Sequence, residues 1–135
     1  MTAELRRLRD RLGVSDRVHL VGAVGPEPPL DLYGDADAFV LASRHENFGL
    51  VAAEAAAAGT PSVVTDRCGV AELLGGRGAL VVPYEREAVR EALERLLGDA
   101  ELRARLAAGG REVAQEHSWP RIAELQEQIY RRVVA

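Results

Sequence analysis

Two glutamates, Glu46 and Glu54, stand eight positions apart in the stretch Arg44-His45-Glu46-Asn47-Phe48-Gly49-Leu50-Val51-Ala52-Ala53-Glu54. The first lies in a polar loop after an apolar run, Ala38 to Ala42. The second falls about one turn into a helix read over 48–58. A strand that leads through a loop into a helix start presents backbone N–H groups without partners and a partial positive charge, which together favour an anion. Gly49 has no side chain to obstruct a phosphate, although its small size would equally ease helix–sheet packing. A carboxylate can accept two hydrogen bonds from vicinal hydroxyls. Carboxylates around an anion site therefore suit a ligand with both phosphate and sugar hydroxyls, which describes a nucleotide sugar. The plainer alternatives are that Glu46 is a solvated acid capping the next helix and Glu54 a surface residue. The neighbours of Glu54 are nearly all alanine, so its helix is read as buried, where an unpaired acid is costly.

The elements that must hold these residues alternate along the chain. Leu5, Leu8 and Leu12 form one stripe of a helix over 3–12, ended by Gly13. Arg17 to Val21 reads as a short strand, and Gly22 to Pro29 as a loop rich in glycine and proline. A short helix over 29–33 precedes a second strand over 38–42, apolar on both faces as inside a parallel sheet. After the 48–58 helix, closed by Gly59 and Pro61, come a strand over 62–65, a helix over 70–74 and a strand over 79–82 stopped by Pro83. Three helices finish the chain. Asp99 is placed to cap the second and Ser118 the third, whose apolar face is Trp119, Ile122, Leu125, Ile129 and Val133. This order implies one α/β domain over 1–135, with an open parallel sheet of about four strands and helices on both faces. Ligands of such sheets bind beyond the carboxyl ends of the strands. The loops there are 22–29, 43–49, 66–70 and 83–85, so Glu46 sits where the architecture would put a ligand.

Composition narrows the function classes. The chain has 135 residues, enough for one domain with a core of its own. A formal charge of −4, with no dense basic block, argues against nucleic acid. No apolar run reaches membrane-spanning length, and the polar start Met1-Thr2-Ala3-Glu4 lacks the apolar stretch of a secretion signal. The lone Cys68 excludes an internal disulfide and agrees with a reducing cytoplasm. With no paired histidine or second cysteine to activate it, this thiol reads as an inert small residue. Three histidines and one cysteine show no metal-ligand spacing, so no metal is expected. Neither Gly-x-Gly-x-x-Gly after a strand nor a phosphate-loop lysine motif is present, which sets aside the common dinucleotide and P-loop sites. His45 reads as a polar loop residue, Glu72 as structural, and the side chains of Phe48, Trp119 and Tyr130 as packing residues.

The chain resembles the C-terminal half of the group 1 (family 4) retaining glycosyltransferases, enzymes of two Rossmann-like domains known as the GT-B fold. The matching stretches are Leu32-Tyr33-Gly34-Asp35-Ala36-Asp37-Ala38-Phe39-Val40-Leu41-Ala42-Ser43, Glu46-Asn47-Phe48-Gly49-Leu50-Val51 with Glu54, and Ala58-Gly59-Thr60-Pro61. Gly69-Val70-Ala71-Glu72-Leu73-Leu74, Leu80-Val81-Val82-Pro83 and the tail Arg111 to Tyr130 extend the likeness over nearly the whole chain, in order. What the resemblance implies is transfer of a hexosyl group from a nucleotide sugar, such as a UDP- or GDP-sugar, to an acceptor hydroxyl. Glu46 would be the catalytic-site acid near the donor sugar, and Glu54 the ribose ligand. Asn47, Phe48, Gly49 and Leu50 would form the donor loop along the diphosphate. No cofactor or metal is implied beyond the nucleotide sugar itself.

Three positions depart from the family pattern. Asn47 and Cys68 stand where glycine is usual, and His117 stands where an aromatic is usual. Asparagine tolerates uncommon backbone angles, so the loop can still form. A larger departure is that nothing before residue 17 matches the arginine and lysine with which the family neutralises the diphosphate, nor its N-terminal acceptor domain. Positive charge is the usual means of stabilising a departing diphosphate without a metal. Arg44 and Arg67 are the nearby basic candidates, and neither matches the family's positions. The expectation is a donor-binding domain not competent alone, partnered by an N-terminal acceptor domain or by a second copy. The alternative is a non-catalytic interaction or oligomerisation module derived from such an enzyme, since missing strands would leave apolar edges to be covered.

Overall fold

The structure, a computed structural model, describes residues 2–24 and 30–133. The turn residues Gly25, Pro26, Pro28 and Pro29 lie outside the described residues. The described elements run α1 (Thr2–Arg11), α2 (Leu30–Asp35), β1 (Phe39–Leu41), α3 (Leu50–Ala58), β2 (Ser62–Thr65), α4 (Val70–Leu74), β3 (Ala79–Val82), α5 (Arg86–Gly98), α6 (Ala100–Glu116) and α7 (Trp119–Val133). The three strands pair in parallel in the order β1-β2-β3, with Phe39 opposite Ser62 and Ser62 opposite Ala79.

The central strand explains the layers. All four residues of β2 are buried, and alternate side chains of a strand point to opposite faces. Val64 enters a cluster with Ala52 and Ala56 of α3, Val70 and Leu74 of α4, and Val113 of α6. Val63 enters a second cluster with Ala92 and Leu96 of α5 and Leu102 and Leu106 of α6. Helices thus cover both faces, as the alternation of elements implies. α3 can be rich in alanine because its partner is equally small. A β-carbon on Gly110 of α6 would come within 3.2 Å of the Ala56 β-carbon, so the two helices touch almost backbone to backbone. Truncating a filled position should be costly. Leu106→Ala is expected to lower the unfolding free energy by about 2–5 kcal/mol, read as a shifted midpoint in urea denaturation.

Several boundaries read from sequence coincide with the observed ones: β2, α4 and β3 match residue for residue. Gly59 closes α3 in a left-handed conformation, its N–H donating to Ala55 and Ala56 carbonyls. The Asp99 carboxylate caps α6 by accepting from the Leu102 N–H at 2.9 Å.

Four readings need correction. Residues 17–21 form no strand. An extended run becomes a strand only beside a partner, and among the described residues nothing pairs with it, so the sheet has three strands. The third helix is not capped by the Ser118 hydroxyl, which makes no hydrogen bond among the described residues; the Ser118 carbonyl accepts from Ile122 instead. Trp119, 82% exposed, and Tyr130 do not pack, because no residue of α7 is buried. The fourth, the start of α3 together with the packing role read for Phe48, belongs to the site.

Candidate functional site

The loop between β1 and α3 is fixed by the loop between β2 and α4. The Glu46 N–H donates to the Arg67 carbonyl at 3.1 Å, and the Glu46 carbonyl accepts from the Gly69 N–H at 3.2 Å. Together these make a short parallel bridge between Glu46 and Cys68. The Val70 N–H donates to the Phe48 carbonyl at 2.6 Å. Below this clamp the Thr65 hydroxyl donates to the Ser43 carbonyl at 2.7 Å, and the buried Cys68 thiol lies 3.5 Å from the same hydroxyl. The fit is close: a β-carbon on Gly69 would stand 2.3 Å from the Asn47 carbonyl oxygen.

This clamp moves the helix start. Phe48 and Gly49 are outside α3, which begins at Leu50. Gly49 takes φ +96°, a left-handed value that side chains disfavour. A β-carbon on Gly49 would also stand 3.0 Å from Leu41, 3.1 Å from Val70 and 3.4 Å from Glu46 Cγ. The stem of Glu46 therefore lies against Gly49, immediately ahead of the helix. The Ala52 N–H is returned to the Gly49 carbonyl at 2.9 Å. The N–H groups of Leu50 and Val51 meet no acceptor among the described residues.

The two acids flank that helix start in different settings. Glu46 is half-buried, and its carboxylate makes no hydrogen bond or ion pair among the described residues. Glu54 is also half-buried, and the Tyr33 hydroxyl of α2 donates to its Oε2 at 3.3 Å. Burial, and then the charge of Glu54, hold the Tyr33 phenol above its ordinary pKa, so it remains a donor at neutral pH. Tyr33 lies 21 positions from Glu54 and no local spacing joins them. Its place in a family-like stretch, Leu32-Tyr33-Gly34-Asp35, was the available sign.

Two depressions adjoin these groups. A polar cleft of about 460 Å³ lies across the carboxyl ends of all three strands, lined by Arg44, His45, Asp66, Arg67, Tyr84 and Glu85. An apolar groove of about 830 Å³ runs between α3, α4 and the α6–α7 junction, and includes Phe48, Leu50, Glu54, Leu73, Trp119 and Ile122. Phe48 is thus no core residue: it is 42% exposed, since the clamp holds its backbone outside the helix. Asn47 and Leu50 are exposed, and Gly49 is buried. Phe48, Leu50 and Glu54 share the groove; Glu46 lines neither depression. Arg44 and Arg67 both line the cleft, and Arg67 lies 3.5 Å from Asp66. Among the described residues no group of three or more potential ligands could hold a metal ion. No described helix is long and apolar enough to cross a membrane.

The sequence profile of the family described as Glycosyl transferases group 1 matches residues 1–113. The chain belongs to this family. A D-inositol 3-phosphate glycosyltransferase of Saccharomonospora viridis is 35% identical over 133 residues, covering 97% of this chain and 31% of that protein. The sucrose-phosphate synthase of Thermosynechococcus elongatus superposes with a TM-score of 0.85 at 32% identity, over 98% of this chain and 34% of that one. The C-terminal domain of a group 1 glycosyl transferase from Francisella tularensis superposes with a TM-score of 0.77 over 86% of this chain and 61% of that one; at 24% identity it shows the fold alone. These structural neighbours are GT-B glycosyltransferases, and the chain shares the fold of the part it superposes on. The chain spans about a third of the length of the curated relatives it matches.

Proposed function

We propose that the chain is the nucleotide-sugar donor-binding unit of a retaining, family 4-type glycosyltransferase. In the reaction, the bond from the anomeric carbon to the diphosphate oxygen breaks and a bond to an acceptor hydroxyl oxygen forms. The nucleoside diphosphate leaves, the acceptor proton is released, and the anomeric configuration is kept. One observation carries the reading in a chain of this family: the Leu50 and Val51 N–H groups are without acceptors among the described residues, at a helix start with Glu46 before it and Glu54 after it. The diphosphate would lie across these amides and the glycine-opened turn at 47–50. Glu54 would accept from the ribose hydroxyls, and Glu46 would face the donor sugar. No cofactor beyond the nucleotide sugar enters the proposal, and a cytoplasmic setting suits the single free thiol.

The chain would not be competent alone. It contains no lysine, and the arginines nearest the donor loop, Arg44 and Arg67, lie in the polar cleft rather than at the helix start. Stabilising the departing diphosphate would fall to basic groups other than those of this chain. The uncovered apolar face of α7 favours such a neighbour, either an acceptor domain or a second copy.

Titration calorimetry with UDP, GDP and ADP, each to millimolar concentration, tests the binding half. At least one should bind, and failure of all three overturns the assignment. Glu46→Gln should weaken a matching nucleotide sugar about 3- to 10-fold while leaving the bare diphosphate unchanged, because only the sugar end meets this acid. Equal losses for both ligands would remove Glu46 from the sugar subsite. Steady transfer by the purified chain alone would refute the need for another domain.

A further inference from the structure

Glu54 has a feature its own helix cannot supply. Its neighbours one turn away on α3 are Leu50, Val51, Ala57 and Ala58, none of which can hold a carboxylate. A glutamate arm on such a face samples several rotamers, and fixing it for a ligand costs entropy at the moment of binding. Among the described residues, the one group that touches the carboxylate comes from another element. Tyr33 is only 8% exposed and is anchored at three points. Its ring stands edge-on to Phe39 of β1, with centroids 5.5 Å apart and planes at 90°. Its carbonyl accepts from the buried Thr60 hydroxyl just past the end of α3. Its hydroxyl donates to Glu54 Oε2 at 3.3 Å.

We propose that Tyr33 is the positioning residue for Glu54: its anchored phenol holds Oε2 and leaves Oε1 and the remaining lone pairs aimed at the two hydroxyls of a ribose. The inference rests on the donor-binding reading of the site. A carboxylate offers about four acceptor positions, so one phenol leaves enough for a vicinal diol. A neutral donor serves this purpose better than a cation, because an arginine fork would occupy both oxygens. The arrangement makes Tyr33 a determinant of preference for ribonucleotides over 2′-deoxyribonucleotides, without touching the nucleotide itself.

The test uses the full chain, whichever of UDP, GDP or ADP it binds, and the 2′-deoxy counterpart of that nucleotide. Tyr33→Phe keeps the ring against Phe39 and removes only the hydroxyl. It should weaken the ribonucleotide about 5- to 20-fold and change the deoxynucleotide less than about twofold. In a Glu54→Ala background the same substitution should have no further effect. Equal losses for both nucleotides, or a loss that persists without Glu54, overturn the proposal, because a purely structural role would produce either. Glu54→Asp supplies a second route should Tyr33→Phe fail to fold: the arm, shorter by one methylene, draws away from the phenol and should lose the same discrimination. A wild-type preference retained by that variant also overturns the proposal. If the wild-type chain binds no diphosphate, the donor-binding reading falls and takes this inference with it. If it binds and Tyr33→Phe binds equally well, the inference falls alone.

Discussion

Gly69→Ala is expected to cost about 2–4 kcal/mol of stability and to abolish measurable nucleoside diphosphate binding. For a chain of this length, the loss corresponds to a melting temperature lower by roughly 10 °C. The new β-carbon would sit 2.3 Å from the Asn47 carbonyl oxygen and 3.2 Å from Phe48 Cα. Both are backbone atoms, so no rotamer can relieve the overlap. The 46–49 loop must instead lift away from the 66–70 loop, breaking the hydrogen bonds from Gly69 to Glu46 and from Val70 to Phe48. Lifting it turns Gly49 and the first amides of α3 out of register with Glu54. Gly98→Ala is the matched control. No atom lies within 4 Å of its β-carbon position, and it ends α5 without a positive φ. That variant should be neutral or gain up to about 1 kcal/mol through helix propensity and a less flexible unfolded chain. Thermal melts with calorimetric titration decide the comparison; a Gly69→Ala protein that melts and binds like Gly98→Ala would show that the clamp does not hold the site.

Glu54→Ala is expected to weaken the nucleoside diphosphate by about 10- to 150-fold, since a charged acceptor contributes about 1.5–3 kcal/mol through its hydrogen bonds. Stability should change little in comparison. Alanine is the better helix former, which offsets the loss of the Tyr33 hydrogen bond. The result separates two kinds of disruption that both reduce binding. Gly69→Ala removes the site by moving backbone, with a large thermal signature. On the proposed donor-binding reading, Glu54→Ala removes one contact from an intact scaffold, with almost none. Unchanged affinity in Glu54→Ala would take the ribose away from this acid while leaving the fold untouched.

Much of the scaffold was legible because its signals are local. β2, α4 and β3 are short runs bounded by glycine, proline or polar residues, and turn chemistry fixes such boundaries within a few positions. The Asp99 cap and the Gly59 stop depend on residues within one turn of the helix they serve. The candidate site was legible in outline for a related reason: a polar loop after an apolar strand and before an alanine helix places Glu46 and Glu54 around a helix start whatever the detail.

Long-range contacts decided the rest. Residues 17–21 have strand composition, but a strand needs a second chain segment beside it, which composition does not provide. Trp119 and its apolar companions on α7 have the periodicity of a buried face, yet periodicity does not say what would bury them, and the described residues leave them exposed. The start of α3 at Leu50 follows from bonds between residues 46–48 and 67–70, across two different loops. The Tyr33 grip on Glu54 joins two helices through side chains 21 positions apart. The sequence by itself therefore determined the family, the order of the elements and the two acids at the helix start, because each is written in neighbouring residues. Only the tertiary structure decided which amides lack an acceptor among the described residues and how Glu54 is held, because both are settled by groups that meet when separate segments pack together.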